Sequence, residues 1–167
     1  MTPTVDLDSV ALAVRVGAAL LAGASLGIDR ELKRKPAGLR THALVSVGAA
    51  VVVLIAAGAT PGNADAVSRA FQGIITGIGF LGAGVIMQYE AERRVEGLTT
   101  AASVWVAAAL GMACGAGLVE LVGIALIATV LILWGGEKIE TWMARRGLST
   151  PPPTGSTPRA PSNRNRR

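Results

Sequence analysis

Hydrophobic residues in this chain fall into five long runs that short charged segments separate. Apart from His42, the runs at 16–28, 41–64, 70–89, 97–119 and 121–136 contain no charged side chain. An α-helix needs about 20 apolar residues to cross a hydrocarbon core of about 30 Å. The pattern therefore predicts an all-α membrane domain over residues 9–136, with five transmembrane helices at about 9–28, 40–58, 67–88, 98–115 and 117–135.

The third run is unusually rich in glycine. In water, each of its glycines would destabilise a helix by about 1 kcal/mol relative to alanine, but between membrane helices small residues allow the backbones to approach closely. The first helix has a similar stripe, with Ala19, Gly23 and Gly27 at four-residue spacing. We therefore predict Gly-rich close packing, with helices one and three as the best candidate pair. The glycines predicted to pack are Gly23, Gly27, Gly73, Gly77, Gly79, Gly82 and Gly84.

The segment Gly77–Gly82 also spells G-x-G-x-x-G, the fingerprint of dinucleotide-binding proteins. That motif requires a strand before it, a helix that begins at it, and an acidic residue about 20 positions further on. Here the glycines lie in the middle of an apolar segment, where the backbone amides are needed for helical hydrogen bonds. Helix packing is the preferred interpretation, and no cofactor is predicted.

The charge distribution predicts an orientation. Charged residues make up 16% of the chain, below the ~25% of soluble domains. Fourteen of the sixteen basic residues fall in the segments 29–40, 89–96 and 137–167, which five spans place on one side of the membrane. The positive-inside rule then predicts an extracytoplasmic N-terminus over residues 1–8 and a cytoplasmic C-terminus. Residues 1–9 contain two Asp and no Lys or Arg, so the first run is expected to be a retained helix rather than a secretory signal.

The amino-acid composition of the chain changes after the fifth predicted helix. Residues 137–147 read as a juxtamembrane amphipathic segment, with Ile139, Trp142 and Met143 on one side. Residues 148–167 are rich in Pro, Ser, Thr and Arg and cannot bury enough apolar surface to fold. They are predicted to form a disordered cytoplasmic tail.

Few residues offer chemistry, and no catalytic, cofactor-binding or metal site is predicted. Asp29 and Glu31 could bind a divalent cation through oxygen ligands, but five basic residues in the same linker favour ion pairing. Arg15, Arg69 and Glu120 fall at the outer ends of helices one, three and five. They could form an outer polar cluster, or each could snorkel independently to water. No nucleophile–base pair is expected at one depth.

Four segments together resemble the MgtC/SapB family of bacterial inner-membrane proteins, across residues 10–135. They are Gly23-x-x-x-Gly27-x-Asp29-Arg30-Glu31, KPAGLRTH at 35–42, GIGFLGAGVI at 77–86, and GLTTAASVW at 97–105. Asp29 stands where the family more usually has Glu. The polar positions of these motifs are Asp29, Arg30, Glu31, Arg40, Thr41, His42, Thr99 and Thr100.

The resemblance implies a non-enzymatic regulator that is linked to growth under magnesium limitation. Such proteins act through membrane partners that include the ATP synthase, so the expected partners are lipid, other membrane proteins and further copies of this chain, with no nucleic acid. Longer members carry a soluble ACT-like C-terminal domain, which this chain is expected to lack. The alternative is a small oligomeric transporter or channel for Mg²⁺ or another cation. Its path would need the polar residues Gln72, Thr76, Thr99, Thr100 and Ser103.

Overall fold

A computed structural model of the chain describes residues 8–87 and 97–147. The predictions for residues 1–7, for the linker at 88–96 and for the tail at 148–167 lie outside the described residues. The described part contains five α-helices and no strand. They are α1 (Ser9–Leu32), α2 (Leu39–Ala59), α3 (Ala64–Met87), α4 (Leu98–Ala116) and α5 (Val119–Arg145). All five are long and apolar enough to cross a membrane, which confirms the predicted five spans.

Helix α2 lies at the centre of the packing. It contacts α1, α4 and α3, while α4 also contacts α1 and α3. The residues that fill the space between these helices are small, because closely spaced helices leave little room for side chains. One core cluster consists of Ala37, Ala49, Ile78, Val104 and Ala108. Large apolar side chains are instead exposed along all five helices, as expected of surfaces that face lipid.

Two pairs of glycines hold α2 against its neighbours. A Cβ on Gly23 of α1 would lie 2.5 Å from the His42 carbonyl oxygen, and one on Gly27 would lie 2.6 Å from the Leu39 Cα. From the other side, a Cβ on Gly111 of α4 would overlap the backbone of Ser46, and one on Gly115 would lie 2.7 Å from the Ala50 carbonyl oxygen. Each pair has four-residue spacing, so each presents one bare stripe.

The predicted pairing of helices one and three is wrong. The stripe of α1 packs on α2, where Ala43 and Ser46 supply a second small surface. Of the five glycines of α3, Gly82 is the one whose Cβ would meet another described residue, at 3.6 Å from the Cβ of Ala101. A Cβ on any of the other four, Gly73, Gly77, Gly79 and Gly84, would meet no atom within 4 Å in the described part of the chain.

Two helices extend beyond their predicted ends. Helix α1 continues to Leu32, where Lys33 donates its backbone N–H to the Asp29 carbonyl oxygen. Helix α5 continues through the Gly135-Gly136 pair to Arg145, so residues 137–145 are helical rather than a separate element. Glycine weakens a helix but leaves its backbone hydrogen bonds intact, which explains why two in succession do not end it.

Residues 131–147, taken by themselves, form the end of α5 and the turn after it. Ile139, Trp142 and Met143 are exposed there, as are the polar residues around them, so their predicted place on one apolar side stays a prediction. The Arg146 guanidinium lies over the Trp142 ring, with 4.3 Å from its central carbon to the ring centroid. This cation–π contact fixes a basic group beside an apolar face.

Candidate functional site

Four buried polar side chains meet where α1 ends and where α2 and α4 begin. They are Arg30, His42, Thr100 and Ser103, which are 4%, 0%, 2% and 2% exposed. Burial of polar groups is costly unless they are hydrogen-bonded. We refer to these four residues as the buried polar cluster, and their hydrogen bonds offset part of the cost of burying them.

Arg30 links α1 to α4. Its Nη2 donates a hydrogen bond of 2.8 Å to the Thr100 hydroxyl oxygen. Arg30 lies in the last turn of α1, where a cation interacts favourably with the negative end of the helix dipole. Thr100 is in the first turn of α4, so this bond ties the end of one helix to the start of another.

His42 links α2 to α4. Its Nδ1 lies 2.9 Å from the Gly38 carbonyl oxygen, and its Nε2 lies 3.0 Å from the Ser103 hydroxyl oxygen. Since a carbonyl only accepts, Nδ1 carries the ring proton and Nε2 of the neutral ring is an acceptor. The Ser103 hydroxyl also lies 2.8 Å from the Thr100 carbonyl oxygen, so its single proton has two acceptors within reach.

The His42–Ser103 pair corrects the expectation that no nucleophile and base lie at one depth. A hydroxyl 3.0 Å from an imidazole nitrogen has the geometry of an activated nucleophile. Both side chains are closed off from solvent and lipid by α1, α2 and α4, with 0% and 2% exposure. In this arrangement the pair joins two helices rather than presenting a reactive group.

Two carboxylates near the cluster have structural partners. Asp29 Oδ1 lies 3.2 Å from Lys33 Nζ, and Glu31 Oε2 accepts a hydrogen bond of 3.2 Å from the Leu39 backbone N–H. Glu31 therefore caps α2, and a Cβ on Gly38 would collide with this carboxylate. Asp29 Oδ2 is buried without a hydrogen-bond partner. Within 8–87 and 97–147, no three His, Cys, Asp or Glu side chains are placed to hold a metal ion.

The structure does not bring the three residues of the predicted outer cluster together. Arg15 Nη1 donates a hydrogen bond of 3.1 Å to the Gly115 carbonyl oxygen, one of the last carbonyls of α4. Gly117 ends that helix in the left-handed conformation with φ of 80°, and a Cβ there would lie 3.1 Å from Arg15 Nη2. Arg69 and Glu120 are exposed and form no ion pair with Arg15 or with each other.

The remaining motif residues lie outside the buried polar cluster. Arg40, Thr41 and Thr99 are exposed, as are Gln72 and Thr76 on α3. The Thr76 hydroxyl donates to the Gln72 carbonyl oxygen of its own helix, at 2.8 Å. Of the five polar residues that a transport path would need, only Thr100 and Ser103 are buried, and both are bonded within the cluster.

The sequence already offers Ser103 as a polar residue of α4, three positions after Thr100 and therefore on the same helix face, but it does not indicate the contact with His42. One packing feature is absent from the predicted set of glycines. The pair Gly111-x-x-x-Gly115 has the same spacing as Gly23-x-x-x-Gly27. Comparing glycine spacings across all five runs would have found it.

An apolar groove of about 350 Å³ runs between α2 and α3. Its lining residues are Leu44, Val45, Gly48, Ala49, Ile74, Gly77, Ile78, Leu81 and Ala108. Gly48 of α2 and Gly77 of α3 contribute bare backbone to this α2–α3 groove, since a Cβ on either would meet no atom within 4 Å. The groove contains no ionisable side chain.

Five apolar helices and a buried polar cluster between them define a multi-pass helical membrane protein. The family resemblance found in the sequence is confirmed, because residues 16–142 match the MgtC family. The chain belongs to that family.

Two relatives show how far the similarity extends. Protein SrpB of Synechococcus elongatus is 39% identical over 143 residues, which cover 80% of this chain and 79% of SrpB. Protein MgtC of Salmonella typhimurium is 46% identical over 116 residues, which cover 70% of this chain and 47% of MgtC. The chain thus spans about half the length of that MgtC. No solved structure matches the chain.

Proposed function

We propose that this chain is a non-enzymatic membrane regulator that binds another membrane protein through the α2–α3 groove. The observation that carries the proposal is the contrast among its glycines. Gly23, Gly27, Gly111 and Gly115 are required inside the bundle, because a Cβ on any of them would clash. At Gly48 and Gly77 a Cβ would clash with no described residue, so packing within the bundle does not require glycine there. Both nevertheless line the groove.

The lining of the groove favours a transmembrane helix as the occupant. Leu44, Ile74 and Leu81 border it, while Gly48 and Gly77 leave backbone accessible between them. Membrane helices associate through close packing at small residues, because apolar side chains gain little by leaving lipid for protein. A partner helix with its own small-residue stripe would fit such a surface better than an ion would, since no charged group lines it.

Three finer assignments belong to this proposal: the location with its orientation, the condition under which the protein acts, and its partner. The orientation, with the N-terminus outside and the C-terminus in the cytoplasm, rests on the positive-inside rule, and the other assignments rest on the family. The protein resides in the bacterial inner membrane. It acts when magnesium limits growth. The ATP synthase is the first partner to examine, and a second copy of the chain is another.

The proposal is tested by filling the groove. Gly77→Leu places a bulky side chain where a Cβ meets no atom of the described residues within 4 Å, so the folded bundle should keep its thermal unfolding midpoint. Capture of partner membrane proteins from gently solubilised membranes of magnesium-limited cells should fall about tenfold, the effect of losing 1.4 kcal/mol of binding free energy. Quantitative mass spectrometry of the captured proteins measures the change.

Gly17→Leu is the matched control. Gly17 lies on α1, outside the groove, and a Cβ there also meets no atom within 4 Å. This variant should capture partners as well as the unmodified chain does. Equal capture by the Gly77→Leu variant and the unmodified chain would rule out the groove as the binding surface.

A further inference from the structure

We propose that the loop between α1 and α2 is a preorganised binding site for the phosphate groups of anionic phospholipids. The loop comprises residues 33–38, and with the adjoining Arg40 it presents three exposed cations, Arg34, Lys35 and Arg40. We call these three residues the basic loop cluster. The proposal concerns lipid alone and is independent of the protein partner proposed above.

The acidic residues next to the loop do not neutralise this cluster. Asp29 is paired with Lys33, and the Glu31 carboxylate caps α2 through the Leu39 backbone N–H. Among the described residues, none of Arg34, Lys35 and Arg40 forms an ion pair. No carboxylate within 8–87 and 97–147 therefore neutralises them by direct pairing.

Apolar side chains on both sides of the loop place it at the boundary between acyl chains and headgroups. Leu32, the last residue of α1, is 79% exposed, and Leu39, the first of α2, is exposed as well. In a membrane these leucines remain in the apolar region. Arg34 and Lys35, which lie between them in the sequence, and Arg40, which follows Leu39, therefore reach the layer where lipid phosphates lie. Arginine suits this role, because its planar guanidinium binds phosphate oxygens in a bidentate fashion.

The loop is held in one conformation by the bundle. The backbone N–H groups of Arg34 and Lys35 donate to the carbonyl oxygens of Glu31 and Arg30, at 3.0 and 2.9 Å. Ala37 anchors the other end of the loop, since it is buried within the core cluster. A site that is ordered before the ligand arrives loses less conformational entropy on binding.

Arg34 occupies the turn that ends α1. It follows the C-cap Lys33 and is the one non-glycine residue with positive φ in the described part of the chain, at 51°. Helices commonly end with a left-handed residue at this position, and glycine is the usual choice there. Replacing Arg34 by glycine therefore removes its cation without disturbing the backbone of the turn.

Arg34→Gly separates lipid binding from folding, because it removes a cation and relieves backbone strain together. The full chain is reconstituted in vesicles of equal parts phosphatidylglycerol and phosphatidylcholine, and spin-labelled lipids measure the relative association of each. The unmodified protein should prefer phosphatidylglycerol. In the Arg34→Gly variant this preference should fall about fivefold, the effect expected of one cation near an anionic surface, while the thermal unfolding midpoint rises by about 2–4 °C.

Two control variants complete the experiment. Arg34→Lys keeps the charge but loses the bidentate geometry, so its preference should lie between those of the unmodified protein and Arg34→Gly. Arg69→Gln removes an exposed cation at the other end of the bundle and should change nothing. An unchanged preference in Arg34→Gly would overturn the proposal, as would a lost preference accompanied by a lower unfolding midpoint. Displacement of the labelled lipid by millimolar glycerol phosphate would assign the cluster to a soluble phosphate instead.

Discussion

The two sides of α2 use glycine in opposite ways. Toward α1 and α4, Gly23 and Gly111 lie so close to α2 that a Cβ on either would clash, and the buried polar cluster joins the same helices. Toward α3, Gly48 and Gly77 border a groove that no residue within 8–87 and 97–147 fills. The first side explains how the bundle is held together, and the second is where we expect a partner.

The contrast shows that a small-residue stripe has no single meaning in a membrane protein. Glycine lets backbones approach, but the sequence does not state which backbone approaches. On α1 and α4 the approaching backbone belongs to α2. On α3 we propose that it belongs to another molecule, and variants on the two sides of α2 test this difference.

The largest expected effect comes from adding one methyl group on the closed side. Gly111→Ala forces a Cβ into the backbone of Ser46, which cannot move like a flexible side chain. We expect a loss of about 3 kcal/mol or more in the free energy of unfolding, at the upper end of overpacking effects. Thermal unfolding in detergent measures the loss, with Gly77→Ala as the control that should cost nothing. Similar unfolding midpoints for the two variants would contradict the conclusion that α2 packs tightly against α4 but leaves Gly77 of α3 accessible.

An intermediate effect is expected from the polar link on the closed side. Ser103→Ala leaves His42 Nε2 buried without its partner, at an expected cost of about 1–3 kcal/mol of unfolding free energy. His42 is the one histidine of the chain, so ¹⁵N-histidine labelling reports on this ring alone. The Nε2 resonance should shift toward that of an imidazole nitrogen without a hydrogen bond.

Thr76→Val is the control for this substitution on the open side. The Thr76 hydroxyl bonds within its own helix and is exposed, so its loss should change the unfolding free energy by less than about 0.5 kcal/mol. The prediction fails if Ser103→Ala is as stable as Thr76→Val and its His42 Nε2 resonance does not shift. In that case the hydrogen bond between α2 and α4 would contribute nothing to the stability of the bundle.

The smallest effect is expected at the start of α2. Glu31→Gln keeps an oxygen that can accept from the Leu39 N–H but removes the charge that interacts with the helix dipole. The expected loss is about 0.5–1 kcal/mol of unfolding free energy, and it should shrink at high salt. Glu140→Gln, at an exposed position on α5, is the comparison. If the loss of unfolding free energy in Glu31→Gln did not depend on salt, it would arise from the changed hydrogen-bond geometry at Leu39 rather than from the missing charge.

Much of the architecture could be predicted because the bilayer imposes a length on apolar segments. The five runs gave five helices, and Pro36 and Gly38 marked the loop before α2. The ends of α1 and α5 were less predictable, since charged and glycine residues continue a helix whenever its backbone bonds remain favourable. The polar cluster was predictable in part, because the family motifs contain Arg30, His42 and Thr100 but do not indicate that they meet.

The sequence by itself determined the number of spans, the family and the residues available for close contact, because apolar length and glycine spacing are local properties. Only the tertiary structure decided which helices those residues join. The stripe of α1 faces α2, Ser103 reaches His42 across 61 positions of sequence, and most glycines of α3 face outward. Pairing is decided by how well whole helix surfaces fit together in lipid, and that fit depends on all the helices at once.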